Sequence, residues 1–158
     1  MESGFKIPYS ILKDRYNGLG CFSNEDIKTD TLVWKFDDAN ICIWKMDYCK
    51  ELFKTFDEKT LMDVLTYNFY MNDCMVDIRF DDGKYINHSS DPNILCGYEI
   101  NKKFGFEKYK KDELFNSYAV KDIPKGTEIL DDYNTYGDTP FWIVEIEKRM
   151  NINNDYLG

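Results

Sequence analysis

The run Tyr85-Ile86-Asn87-His88-Ser89-Ser90-Asp91-Pro92-Asn93 restricts this chain more than any other stretch, because it sets the only histidine in a dense polar turn directly after a short apolar segment. Asn and Ser side chains hydrogen-bond nearby backbone groups, Pro92 fixes φ and Asn93 tolerates tight-turn geometry, so a structured loop is expected rather than a helix. Packing alone does not account for so many polar groups in one place. A second turn, Pro124-Lys125-Gly126, follows between Ser117-Tyr118-Ala119-Val120 and Glu128-Ile129-Leu130, which read as two short strands.

The spacing elsewhere is that of short elements. Gly18-Leu19-Gly20-Cys21-Phe22 leads through a polar turn into the alternating run from Thr31 to Phe36, which reads as a hairpin. Between Tyr48 and Tyr70, the residues Leu52, Phe53, Phe56, Leu61, Leu65 and Phe69 recur at helical intervals and predict one or two helices interrupted near Asp57. From Met71 to Ile86 the turn signals Asn72-Asp73 and Asp81-Asp82-Gly83 divide short apolar pieces into strands. Ile94 to Lys111 shows no clean period and reads as a strand followed by a variable loop. An amphipathic helix is expected from Pro140, with Trp142, Ile143 and Ile146 on one side, and residues 151–158 read as a frayed tail. With 158 residues and no internal repeat or linker, a single domain over 1–158 is expected, α+β and rich in short strands, with a helical insertion.

Composition narrows the classes. Aromatic residues make up 16% and charged residues 31% of the chain, which fits a folded soluble protein and excludes a low-hydrophobicity disordered polymer. No apolar run has the length of a membrane span and the first residues lack the layout of a secretory signal, so an intracellular, soluble protein without a membrane partner is expected. The five cysteines are scattered, with no C-x-x-C pair, so reduced thiols and no metal site are expected. A net charge of −9 argues against direct nucleic-acid binding and suits encounter with Lys/Arg-rich partners, although the charge also serves solubility.

Taken alone, Gly18-Leu19-Gly20 marks a bend or a close backbone approach and lacks the third glycine of a dinucleotide fingerprint. His88 alone makes neither a metal site nor a triad. In register, however, the motifs resemble a known family. Tyr85-Ile86-Asn87-His88-Ser89 with Pro92-Asn93, and Asp122-Ile123-Pro124-Lys125-Gly126-Thr127-Glu128-Ile129-Leu130-Asp131-Asp132-Tyr133 after it, are similar to the two central signatures of the SET-domain protein lysine methyltransferases. Asn17-Gly18-Leu19-Gly20-Cys21-Phe22 with Asp26-Ile27, and Tyr67-Asn68-Phe69-Tyr70-Met71-Asn72-Asp73, resemble two weaker ones, and the likeness spans roughly Asp14 to Trp142.

The resemblance implies a minimal stand-alone SET domain: several short sheets, a pseudoknot-like threading of the C-terminal segment beside the Asn-His loop, and S-adenosylmethionine as methyl donor. It implies that the backbone of Asn17, Gly18, Leu19 and Gly20 holds the donor's amino-acid end, that Asn87 and His88 contact the donor through backbone and amide groups, and that Tyr133 is the catalytic tyrosine. Tyr67 is implied as a second tyrosine of the lysine channel, with Tyr70 competing for that place. Trp142 and Phe141 are candidates for enclosing the donor, or for the core of the last helix. A lysine ammonium has a pKa near ~10.4 and is not nucleophilic, so a low-dielectric channel and the sulfonium charge must lower it before a tyrosine hydroxyl can orient the neutral amine.

Three departures from the family pattern stand out. Asp131 replaces the Phe or Tyr that influences how many methyl groups are added, and its carboxylate either meets the substrate's ammonium or, with the register slipped, faces solvent. Cysteine-rich flanking modules are absent, and residues 99–116 match no motif and suit a substrate-facing loop. The expected function is methyl transfer to lysine in a protein substrate, a histone-like basic tail or another lysine-rich protein, captured by pairing of an extended peptide with an exposed strand. The alternative is a catalytically weak or inactive SET-like module that binds peptide or cofactor.

Overall fold

The computed structural model of the protein describes residues 3–37, 39, 41–71, 73–105 and 107–151. The expected tail beyond Asn151, and Asn72 of the Asn72-Asp73 turn signal, lie outside the described residues.

The first pairing joins β1 (Tyr9–Lys13) to β2 (Leu19–Ser23), antiparallel, with Lys13 opposite Leu19. Its turn is fixed by Asp14, whose Oδ1 accepts the backbone N–H groups of Tyr16 and Gly18 at 2.8 Å each, while Asn17 takes the left-handed conformation with φ 64°. The hairpin expected from Gly18 through Phe36 is therefore corrected. The Asn17-Gly18 pair is itself a hairpin-turn signal and closes β2 onto the strand before it. β3 (Leu32–Trp34) instead pairs with a strand far along the chain, and the linking residues mate with the second turn: Ile27 bridges Ile123, and Thr29 donates from N–H and Oγ1 to Asp122 at 2.9 and 3.0 Å.

β4 (Cys42–Lys45) runs into α1 (Met46–Phe53), and α2 (Glu58–Thr66) follows, with the break where Asp57 caps α2 by accepting the Thr60 N–H. Both expected helices are thus present, split at the expected residue. α2 feeds β5 (Asn68–Met71), which pairs with β6 (Cys74–Asp77), and β6 lies between β4 and β5 in a three-stranded antiparallel sheet. A 3-10 turn over Asp82–Tyr85 then delivers the chain to β7 (Asn87–His88). Buried Asp81 anchors it, accepting from Gly4 N–H, Gly83 N–H and Trp34 Nε1 at 2.7–2.9 Å.

β8 (Ile94–Cys96) leads into α3 (Gly97–Phe104), where a loop was expected. The helical period is hidden because Tyr98 and Phe104 point to solvent and only Gly97 and Ile100 are buried. Gly105 in the left-handed conformation, φ 69°, ends the helix. β9 (Ser117–Ala119) lies between β3 and β8. β10 (Leu130–Asp131) pairs in parallel with β7, Leu130 opposite Asn87 and Asp131 opposite His88, and α4 (Phe141–Arg149) starts after Pro140 as expected.

The buried side chains form two main clusters. One, around Phe5, Val33, Trp34, Ile94, Ile123 and Ile129, underlies the N-terminal hairpin and the β3–β9–β8 sheet. The other, around Cys49, Phe53, Leu65, Tyr70, Met75 and Ile143, binds α1, α2 and α4 to the β4–β6–β5 sheet. β7 and β10 run in parallel between these regions, and the C-terminal segment crosses to Tyr70, whose carbonyl accepts the Gly137 N–H at 2.7 Å.

Candidate active site

The two polar turns meet at β7 and β10. Asn93, buried, donates Nδ2 to the Glu128 carbonyl and accepts the Leu130 N–H on Oδ1, both at 2.8 Å, so one side chain locks the loop after His88 to the strand before Tyr133. Ser89 N–H donates to the Asp131 carbonyl at 2.9 Å, continuing the ladder. These bonds explain the density of Asn and Ser here: the crossed segments are too short to satisfy their backbone by strands alone.

Asn87 ties this crossing to the first hairpin. Its Nδ2 donates to the Leu19 carbonyl and Glu128 Oε1 at 2.9 Å and to Asp14 Oδ2 at 3.1 Å. Gly20 lies close beneath it: a Cβ there would meet Glu128 Oε1 at 2.3 Å and displace the carboxylate that accepts from Asn87. His88 accepts the Tyr133 N–H on Nδ1 at 3.0 Å, with the two rings 5.3 Å apart. A nitrogen accepting an amide proton carries its lone pair there, so the 3.7 Å approach of Asp132 Oδ1 to Nδ1 is not an ion pair in this tautomer. The Tyr133 hydroxyl donates to the Ile86 carbonyl.

A cavity of about 500 Å³ opens between the two core clusters and draws wall residues from both. Its wall includes Asp14, Gly18, Leu19, Lys84, Tyr85 and Asn87 from the first hairpin and the Asn-His segment, and Tyr67, Tyr70, Asp131, Tyr133, Tyr136 and Glu147 from the elements around the second core cluster and the C-terminal segment. The Lys84 ammonium lies over the rings of Tyr67 and Tyr85, at 5.2 and 4.9 Å, and donates to the Arg79 carbonyl at 3.1 Å. Tyr67 and Tyr85 meet edge to face at 6.5 Å.

Asp131 does not face solvent. It is 5% exposed, lines the cavity, and accepts from the Tyr136 hydroxyl at 2.5 Å on Oδ2 and from the Asp132 N–H at 2.8 Å on Oδ1. Burial raises its carboxyl to about 6, against the lowering effect of those two hydrogen bonds. The Tyr136 hydroxyl is pushed well above the usual phenol range, first by burial and then by the Asp131 charge, and its ring packs on Phe69 at 4.7 Å. Tyr70 is buried as well, its hydroxyl without a hydrogen-bond partner among the described residues and its ionisation raised by burial.

Of the residues singled out in the sequence, Gly18, Leu19, Asn87, Tyr67 and Tyr133 are brought to the cavity wall. Asn17, Gly20 and His88 stand behind it as turn, close approach and brace. Trp142 is elsewhere, packed on Phe53 at 5.7 Å with the Lys50 ammonium 5.4 Å over its ring, and Phe141 is exposed. Sequence reading missed Tyr136, Lys84, Asp14 and Glu128. Tyr136 follows Tyr133 at i+3 across a 3-10 turn, a spacing that eclipses side chains and marks it as a neighbour.

The comparisons agree with this architecture. The SET domain family model matches residues 18–134. No curated protein sequence matches significantly. Among solved structures, the Neurospora SET domain protein DIM-5, a histone lysine methyltransferase, aligns with a TM-score of 0.56 at 20% identity, over 87% of this chain and 55% of its own. This chain thus spans about half the length of that protein. A Plasmodium falciparum protein named as a candidate histone methyltransferase aligns over 87% of this chain and 99% of its own, at 24% identity and a TM-score of 0.47. With most of its length under the family model and both signature turns crossed beside one cavity, the chain belongs to the SET domain family.

Proposed function

We propose that this domain transfers a methyl group from S-adenosylmethionine to the side-chain amine of lysine in a protein. The observation that carries the reading is one cavity whose wall holds both the Gly18-Leu19 turn with Asn87 and a cluster of tyrosines, Tyr67, Tyr70, Tyr85, Tyr133 and Tyr136. Its volume suits a nucleoside-sized ligand plus the end of a side chain. The wall fits the group: Gly18 admits close backbone approach, Lys84 offers a cation to a carboxylate, and Tyr85 an aromatic face. Gly18, Leu19, Lys84, Tyr85 and Asn87 would hold it, with Asn17, Gly20 and His88 supporting them from behind. When bound, the donor supplies an electrophilic methyl on a sulfonium.

Tyr133 acts as an acceptor. Its hydroxyl donates its proton to the Ile86 carbonyl, and its oxygen is the acceptor that receives an N–H of the substrate amine and aims the nitrogen lone pair. His88 fixes the backbone of Tyr133 through the amide, while the Ile86 carbonyl orients the hydroxyl. Tyr67 and Tyr85 narrow the channel and exclude water. The substrate is read as a basic protein segment, a histone tail being the case that the Neurospora relative's description supports.

The test is transfer of labelled methyl from S-adenosylmethionine to core histones and a lysine-rich protein panel by wild type and Tyr133→Phe. Label on lysine with wild type, and a loss of about 100-fold in a folded Tyr133→Phe, is the expected result. Donor binding without any transfer moves the assignment to a binding module, and a folded protein that binds no donor removes it.

A further inference from the structure

We propose that Asp131 is the counter-charge that draws the substrate ammonium into the cavity and the base that takes its proton, with Tyr136 as the residue that positions and poises it. This rests on the methyltransferase reading of the cavity.

Charge around Asp131 is unbalanced. Asp131 is a buried carboxylate whose recorded partners are both neutral donors, the Tyr136 hydroxyl and the Asp132 amide. The titratable groups facing it are Asp132 beside it, His88 on the paired strand β7, Cys96 from β8, Glu99 from α3, and Tyr133 and Tyr136 from the turn that follows. Of these only His88 can become a cation, and it turns Nδ1 to the Tyr133 amide. The described cavity wall carries three carboxylates, Asp14, Asp131 and Glu147, against one ammonium, Lys84, which lies over Tyr67 and Tyr85. An ionised carboxylate in such a place is costly unless a cation arrives to pair with it. A side chain with a terminal ammonium supplies that cation.

The same group suits proton transfer. Burial lifts its ionisation to about 6, so it is mostly a carboxylate at neutral pH and accepts a proton more readily than an exposed aspartate does. The step balances as follows. One ammonium proton passes to Asp131, leaving the amine with a lone pair. That pair forms the N–C bond to the donor methyl while the C–S bond breaks and its electrons go to sulfur, giving a methylated ammonium and a neutral thioether. Asp131 then returns its proton to water. The hydrogen bond from Tyr136 keeps the carboxylate from rising further and fixes Oδ2, leaving its remaining lone pairs for the amine.

The experiment measures labelled methyl transfer to core histones by wild type, Asp131→Asn and Tyr136→Phe across the pH range, with thermal unfolding of each protein followed over the same range. Asp131→Asn should lose about 100-fold near pH 7.5, and the gap should shrink to a few-fold near pH 9.5, where solvent deprotonates the amine unaided. Tyr136→Phe should move the acid limb of wild-type activity to higher pH, because the hydrogen bond that lowers Asp131 is gone. Wild-type stability should fall relative to Asp131→Asn as pH rises through the buried ionisation. Equal activity of wild type and Asp131→Asn near pH 7.5, a loss that is the same at every pH, or parallel unfolding profiles would each overturn the inference alone. A folded wild type that transfers no methyl at any pH overturns the parent reading and this inference with it.

Discussion

At the scale of single residues, Asp131 carries the clearest energetic signature. Its carboxyl is raised from 3.8 to about 6, chiefly by burial, so the folded state holds its proton more tightly than the unfolded chain does. The sign follows: no penalty exists below about pH 4, the penalty grows between pH 4 and 6, and it is complete above that window, at roughly 3 kcal/mol for a shift of this size. An asparagine keeps an oxygen for the Asp132 N–H, turns its NH2 toward the Tyr136 oxygen, which can accept, and removes the charge. Asp131→Asn is expected to unfold at a higher temperature than wild type near pH 7.5, by up to about 3 kcal/mol, and to converge with it near pH 4. A calorimetric pH series measures this directly, and a variant less stable at every pH would contradict the burial argument. The residue was visible in the sequence as a departure from the family pattern, with its direction undecided. Pairing of Asp131 with His88 in β10–β7 settles that direction, and no local pattern could, because the partner strand lies forty-odd residues upstream.

At the scale of elements, what was legible is what has local chemistry. Asp57 breaks the helical stretch because it accepts the Thr60 N–H as an N-cap, and Pro140 starts α4 because it lacks a donor the helix would leave unpaired. What was not legible depends on partners. β3 carries no local sign that its partner is β9, more than eighty residues downstream, and the period of α3 is hidden because two of its aromatics are exposed. The crossing of β7 and β10 was named by its motifs, yet its fastening is the Asn93 side chain, bonded to two backbone groups of the C-terminal segment. Asn93→Ala strands a part-buried carbonyl and a part-buried N–H, which should destabilise by about 1–3 kcal/mol. Denaturant titration tests this. Because Leu130 leads into Asp131 and Tyr133, the same variant should impair methyl transfer more than its stability loss explains, read at a temperature where it remains folded.

At the scale of the whole molecule, charge acts where neither residues nor elements decide. The chain carries 29 acidic against 20 basic side chains, and the described wall of its main cavity is acidic too. No helix among the described residues is long and apolar enough to cross a membrane. A net negative charge and an acidic cavity wall accelerate encounter with a basic chain, while the step at the buried amine is insulated from bulk ions. The two should separate under salt, because screening reaches exposed charges over about 8–10 Å and leaves buried pairs nearly untouched. For transfer to core histones, raising sodium chloride from low salt to about 0.3 M should lower kcat/KM by roughly tenfold with kcat held. A short peptide with one lysine and no other charge should change by less than about twofold. A kcat that falls in step with kcat/KM would place the salt-sensitive interaction inside the cavity rather than on the approach to it.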